Sequence, residues 1–121
     1  GPDGGASWLL SRQVGYSKAL EIAISGNKLK GEECLSLGLT NRLVDDQYIL
    51  SEAQSWAKKL ANCPTLAIGI AKEDIFFSMT NNLNDTIAFE ANQQIEAFKS
   101  HDLKEGVTAF IEKRKPNFLG K

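Results

Sequence analysis

HDLKEGVTAFIEKRKPNFLGK, residues 101–121, is the stretch on which the reading of the whole chain turns. Leu103, Val107, Phe110 and Ile111 fall on one face of an α-helix. Asp102 and Glu105 stand at its start with the spacing of a capping box widened to aspartate, in which side chains accept from helical N–H groups that lack an internal partner. Lys113, Arg114 and Lys115 crowd its end, where cations complement the helix dipole by about 0.3–1 kcal/mol with no ligand present. Pro116, which cannot continue a helix, follows. The stretch therefore reads as an amphipathic helix with a basic terminus and a tail that leaves it. Ser100, His101 and Asp102 carry the residue types of a nucleophilic triad, but sequence neighbours at a helix start point in different directions, so capping is the better account.

Back toward the N-terminus, Leu83, Ile87, Ala91, Ile95 and Phe98 form a stripe at helical steps, the longest helix of the chain, and Asn81, Asn82 and Asn84 mark a loop at its start. Residues 65–79 are apolar on two faces, Leu66, Ile70 and Phe77 on one and Ile68, Ala71, Ile75 and Met79 on the other, so that helix should be wrapped by neighbours. Pro64 suits its start, since a proline there loses only an N–H that had no partner. Ala53, Trp56, Ala57 and Leu60 give residues 47–62 one amphipathic face. In residues 31–38, Gly31 reads as an N-cap, Glu32 and Glu33 sit where the dipole favours negative charge, and Gly38 closes the segment. Residues 39–44 alternate loosely and include β-branched side chains, which predicts one extended segment needing a partner strand that the sequence does not offer. Ser17 is placed to cap a helix carrying Ala19, Leu20, Ile22, Ala23 and Ile24, which Gly26 ends. Trp8, Leu9, Leu10 and Val14 belong to a shorter helix stopped by Gly15, and Asp3, Gly4 and Gly5 make a tight turn ahead of it. The fold class is mainly α, with about seven helices and at most one short strand.

At 121 residues, with 42% hydrophobic and 24% charged side chains, the chain has the make-up of one globular module spanning residues 1–121. A formal net charge of -1, from 14 basic and 15 acidic residues, gives no electrostatic pull toward nucleic acid or an anionic membrane. No apolar run approaches the roughly 20 residues of a membrane helix. Cys34 and Cys63 lack CxxC spacing, and with His101 as the sole histidine a zinc site is not expected; the cysteines read as reduced thiols of a cytoplasmic protein.

Three pieces, in order, resemble one family. PDGGASWLLSRQVGYSKALEIAISG (2–26) resembles the segment that follows the catalytic sheet in the enoyl-CoA hydratase/isomerase, or crotonase, superfamily; GEECLSLGLTNRLVDD (31–46) resembles its short helix and strand; and residues 101–121 resemble its final helix and tail. The resemblance implies the C-terminal helical region of a crotonase-like fold, with the ββα spiral core supplied by sequence outside this chain. It also implies an enzyme of acyl-CoA metabolism that needs no cofactor beyond the coenzyme A thioester carried by its substrate. By the same resemblance the region builds a trimer or hexamer and closes the CoA site. The fragment by itself is then expected to self-associate, in an oligomer with exchanged helices, and to turn over nothing.

Three residues take candidate roles from the resemblance. Asp3 matches an aspartate that sits over the acyl group as base or nucleophile in family members that move a double bond, which tilts the parent toward isomerase-type chemistry; read alone, Asp3 is an ordinary turn residue. Phe110 and Lys113 match an aromatic and a lysine near the adenosine end of CoA; read alone, Lys113 only complements the helix dipole. Trp8, Phe76 and Phe77 are better explained by packing than by an acyl pocket. A non-catalytic helical interaction module derived from the same scaffold is the alternative reading.

Overall fold

A computed structural model describes residues 1–121 as seven α-helices and one 3-10 turn, Asp46–Tyr48, with no strand. The mainly-α expectation therefore holds. The chain divides into two compact units, Gly1–Ile49 and Leu50–Lys121.

In the first unit α1 (Ala6–Val14) and α2 (Tyr16–Ser25) pack against each other and bury Ala19. The single residue between them is Gly15, whose φ of 79° is open to glycine at little steric cost. That glycine, and not Ser17, is the N-cap of α2. The short α3 (Gly31–Ser36) starts one residue earlier than the sequence suggests, with Lys30 as N-cap. A Cβ on Gly31 would lie 2.5 Å from Leu43 Cδ1, so the absent side chain is what lets Leu43 cover the helix start. Gln13 Nε2 donates to the Gly38 carbonyl at 2.7 Å and ties α1 to the turn after α3.

Residues 39–44 form no strand. The Leu39 and Thr40 amides turn back onto the Cys34 carbonyl at 2.9 and 3.4 Å, and Thr40 Oγ1 donates to Arg42 O at 3.1 Å. A strand without a neighbour leaves its ladder groups unpaired, so the local turn bonds win.

The second unit holds α4 (Ile49–Ala61) from its second residue on, α5 (Thr65–Ser78), α6 (Leu83–Lys99) and α7 (His101–Ile111). Phe77 stacks on Phe89 with centroids 4.1 Å apart, and Gln93 Nε2 donates to Glu73 Oε2 at 2.7 Å. Moving back along α5 thus means moving forward along α6, and the two helices are antiparallel. Asn82 caps α6 by accepting from the Asp85 amide at 3.0 Å. Ser100 ends α6 and caps α7, its Oγ accepting from the Leu103 amide at 3.1 Å. Asp102 and Glu105 do not form the capping box suggested by their spacing; their partners lie elsewhere, as described below.

One expectation about packing is corrected, and the longest helix shows the same exposure. The face of α6 turned to α5 carries Thr86, Phe89 and Gln93, while the apolar stripe points away: Leu83, Ile87, Ile95 and Phe98 remain 73%, 53%, 53% and 64% exposed. Nor is α5 wrapped, because Ile70 is buried but Ile75 and Phe76 stay exposed. Among apolar side chains only Ala19, Ile70 and Ala109 count as buried. The chain exposes 9425 Å². A compact monomer of its mass would expose about 6,500 Å², and two separate bodies of half that mass about 7,800 Å².

Candidate functional site

Chemistry-bearing residues concentrate where α7 gives way to the tail. The helix ends in a Schellman arrangement: the Lys113 amide donates to Phe110 O at 3.2 Å and the Arg114 amide to Ala109 O at 3.0 Å. The residue that must turn left-handed there is Lys113, with φ 54°, the one non-glycine residue of the chain at positive φ. Glycine normally takes this position, because a Cβ in left-handed backbone costs roughly 1–2 kcal/mol. Comparing two variants that both lose the amine isolates that cost: Lys113→Gly is expected to exceed Lys113→Ala in stability by about 1 kcal/mol in urea unfolding. Equal midpoints would mean the turn carries no strain.

Around the turn, two carboxylates of α7 organise the tail. Arg114 grips Glu105 with both prongs, Nη1 to Oε1 at 2.6 Å and Nη2 to Oε2 at 2.9 Å, and its Nε donates to Glu112 Oε2 at 2.6 Å. Glu105 Oε1 also accepts from the Asn117 amide at 2.7 Å. The Arg114 fork and the Asn117 amide together hold the Glu105 carboxyl down at about 2. The same contacts, with Glu105 first and Glu112 second, push the Arg114 guanidinium above its ordinary value.

One turn earlier Asp102 is buried, accepting from the Leu119 amide at 2.7 Å and the Gly120 amide at 2.8 Å, while its own amide donates to Lys121 O at 3.1 Å. Burial pushes this carboxyl up, but the two tail amides and His101, whose Nδ1 lies 3.3 Å away, outweigh it and leave the group below the usual carboxylate range. Gly120 has φ 74°, and a Cβ there would come within 2.5 Å of Thr65 Oγ1, so the tail closes down on the start of α5.

Leu66, Leu103, Val107, Phe110 and Phe118 line an apolar cavity of about 380 Å³ beside this clasp. Phe110 stands at its edge with 84% of its surface exposed. Phe110 lies in the last turn of α7 and Lys113 just past it, the two joined by the backbone bond from the Lys113 amide to Phe110 O. Asp3 belongs to the other unit: it is exposed, and its carbonyl accepts from the Ala6 amide at 2.8 Å in a turn completed by Gly4 and Gly5 at φ 55° and 86°. No group of three or more His, Cys, Asp or Glu side chains gathers in a way that could hold a metal ion. No helix is long and apolar enough to cross a membrane.

Sequence reading alone missed the clasp. Its signal was available in two acids three apart on one helix face, an arginine past the helix end and a proline that forces the chain to leave the axis.

The enoyl-CoA hydratase/isomerase family profile matches residues 1–121. Among curated relatives, the 1,2-epoxyphenylacetyl-CoA isomerase of Escherichia coli (strain K12) is 39% identical over 120 residues, which is 99% of this chain and 46% of that protein. The short-chain-enoyl-CoA hydratase of Clostridium acetobutylicum is 32% identical over 114 residues, 94% of this chain and 44% of its own length. Among solved structures, an enoyl-CoA hydratase subunit from Geobacillus kaustophilus HTA426 superposes with a TM-score of 0.95 at 35% identity, covering 99% of this chain and 47% of that one. The chain thus spans less than half the length of the relatives it matches, and it belongs to the enoyl-CoA hydratase/isomerase family.

Proposed function

We propose that residues 1–121 are the helical C-terminal region, a single module, of an enzyme that acts on acyl-CoA thioesters, and that this region closes the CoA site and joins subunits. The observation that carries the reading is the family match along the whole chain, to relatives about twice as long. The missing length is where the sheet and its oxyanion hole belong. There, two backbone amides would hold the thioester carbonyl and stabilise the enolate formed when a carboxylate removes a proton from the acyl chain.

Within this chain, Asp3 is the proposed base. It would take a proton from one acyl carbon and return it to another, shifting a double bond without water and with no cofactor, the thioester being itself the substrate. The aspartate at position 3 is what favours isomerase-type chemistry over hydration; the relatives carry both kinds of name, an isomerase and enoyl-CoA hydratases. Phe110 and Lys113 are the proposed contacts for the nucleotide end of CoA, an aromatic face for adenine and a cation for phosphate.

The test offers the intact gene product a 3-enoyl-CoA and crotonyl-CoA, and follows double-bond migration and hydration separately. Faster migration supports the reading, faster hydration reverses the order of the two activities, and inertness toward both overturns it. Residues 1–121 alone are expected to turn over neither substrate, since loss of a single oxyanion donor already costs about 10²–10³ in rate.

The exposed stripe of α6 supports the subunit-joining role. Sedimentation of residues 1–121 is expected to show association that rises with concentration, and Ile87→Glu with Phe98→Glu should return the monomer. A wild-type chain that stays monomeric at about 100 μM would remove that role; interfaces of obligate size hold well below it.

A further inference from the structure

We propose that Glu105 and Arg114 are positioning residues for Lys113: their ion pair holds the left-handed turn that directs the Lys113 side chain and keeps its ammonium uncommitted. The inference deepens, and rests on, the reading of Lys113 as a contact for coenzyme A. A lysine stays in left-handed backbone only where its surroundings leave no alternative. Here the residues on either side of it, Glu112 and Arg114, are joined to each other by the 2.6 Å contact that spans it. Arg114 is in turn forked onto Glu105 two turns back along α7. The chain beyond the turn is fixed to the same carboxylate through the Asn117 amide. The turn is thus clamped before, across and after Lys113.

The clamp has a second effect. Glu105 and Glu112 are the acids nearest to Lys113 in the sequence of the turn, and both are engaged by Arg114. Lys113 Nζ forms no ion pair within the chain, which leaves it available to an anion such as a phosphate of coenzyme A. A lysine in place of Arg114 would keep the charge but not the fork, since an ammonium cannot grip one carboxylate with two parallel bonds while reaching a second.

The experiment measures the Kd of free coenzyme A for the intact enzyme by calorimetry, together with kcat and KM for a 3-enoyl-CoA. Lys113→Ala is expected to weaken coenzyme A by about tenfold, and Glu105→Gln and Arg114→Lys each by about three- to tenfold. KM should rise with kcat unchanged, because the contact is remote from the reacting atoms. In the Lys113→Ala background neither fork variant should add anything, which a general loosening of the fold would not reproduce. Unchanged affinity in Lys113→Ala overturns the coenzyme reading itself. Weakened affinity in Lys113→Ala with wild-type affinity in both fork variants overturns the positioning role alone. So does a fork effect that persists without Lys113. Should Glu105→Gln fail to fold, Arg114→Lys decides the question by itself.

Discussion

Asp3→Asn in the intact enzyme is expected to lower kcat for double-bond migration by about 10²–10⁴, the range that a positioned general base contributes. The substitution keeps shape and removes the ability to accept a proton. It also spares the turn, because the hydrogen bond that closes it runs from the Ala6 amide to the Asp3 carbonyl, and the left-handed residues are Gly4 and Gly5. Asparagine suits such a turn as well as aspartate does. KM should therefore stay within about threefold, which separates loss of chemistry from loss of binding. Steady-state kinetics on a 3-enoyl-CoA decide it: a kcat within about threefold of wild type would reduce Asp3 to a turn residue.

The second large effect is expected at Asp102. Removing the buried carboxylate in Asp102→Ala leaves the Leu119 and Gly120 amides without their acceptor. The tail then gains by leaving the helix, and Phe118 leaves the cavity with it. Thermal unfolding should move down by about 5–10 °C, and amide exchange at residues 117–120 should approach that of free peptide while α6 stays protected. Protection at Leu119 and Gly120 equal to wild type would show that the tail is held by something other than the carboxylate.

Acid should do to the wild type what the substitution does. Glu105 has a folded pKa of about 2 against an ordinary 4.5, and Asp102 is displaced in the same direction. A carboxylate lowered by folding stabilises the fold fully above its unfolded pKa and loses that contribution as pH falls through its folded one. Tail protection should therefore be constant above about pH 5 and fall away between about pH 4.5 and 2. In Glu105→Gln the part of that loss owed to Glu105 should vanish.

How far the sequence reveals this molecule depends on the range of the forces involved. Gly15, Gly26 and Pro64 punctuate helices through their own backbone chemistry, and each stands where an element starts or stops. The stripe from Leu83 to Phe98 identifies α6 as a helix, but α5 meets the other face, the one with Thr86, Phe89 and Gln93. Periodicity reports which face must be covered, not by what. Residues 39–44 show the same limit, since strand character needs a second strand to be realised. The clasp was hidden for a different reason: Asp102 and Glu105 obey a local rule, and nothing local announces that tail amides 12 to 18 residues on will outcompete the helix start for them. For the site, Phe110 and Lys113 enter as candidates only through the family resemblance, and the left-handed backbone of Lys113 has no signature in composition or pattern.

The clasp also bears on how the molecule folds. Asp102 meets Leu119 and Gly120 across only 17 and 18 residues. Closing so short a loop costs little conformational entropy and takes well under a microsecond once the ends are free to meet. The last helix and its tail can thus assemble early, before helices that depend on distant surfaces have found them, and can present a finished edge on which the rest condenses.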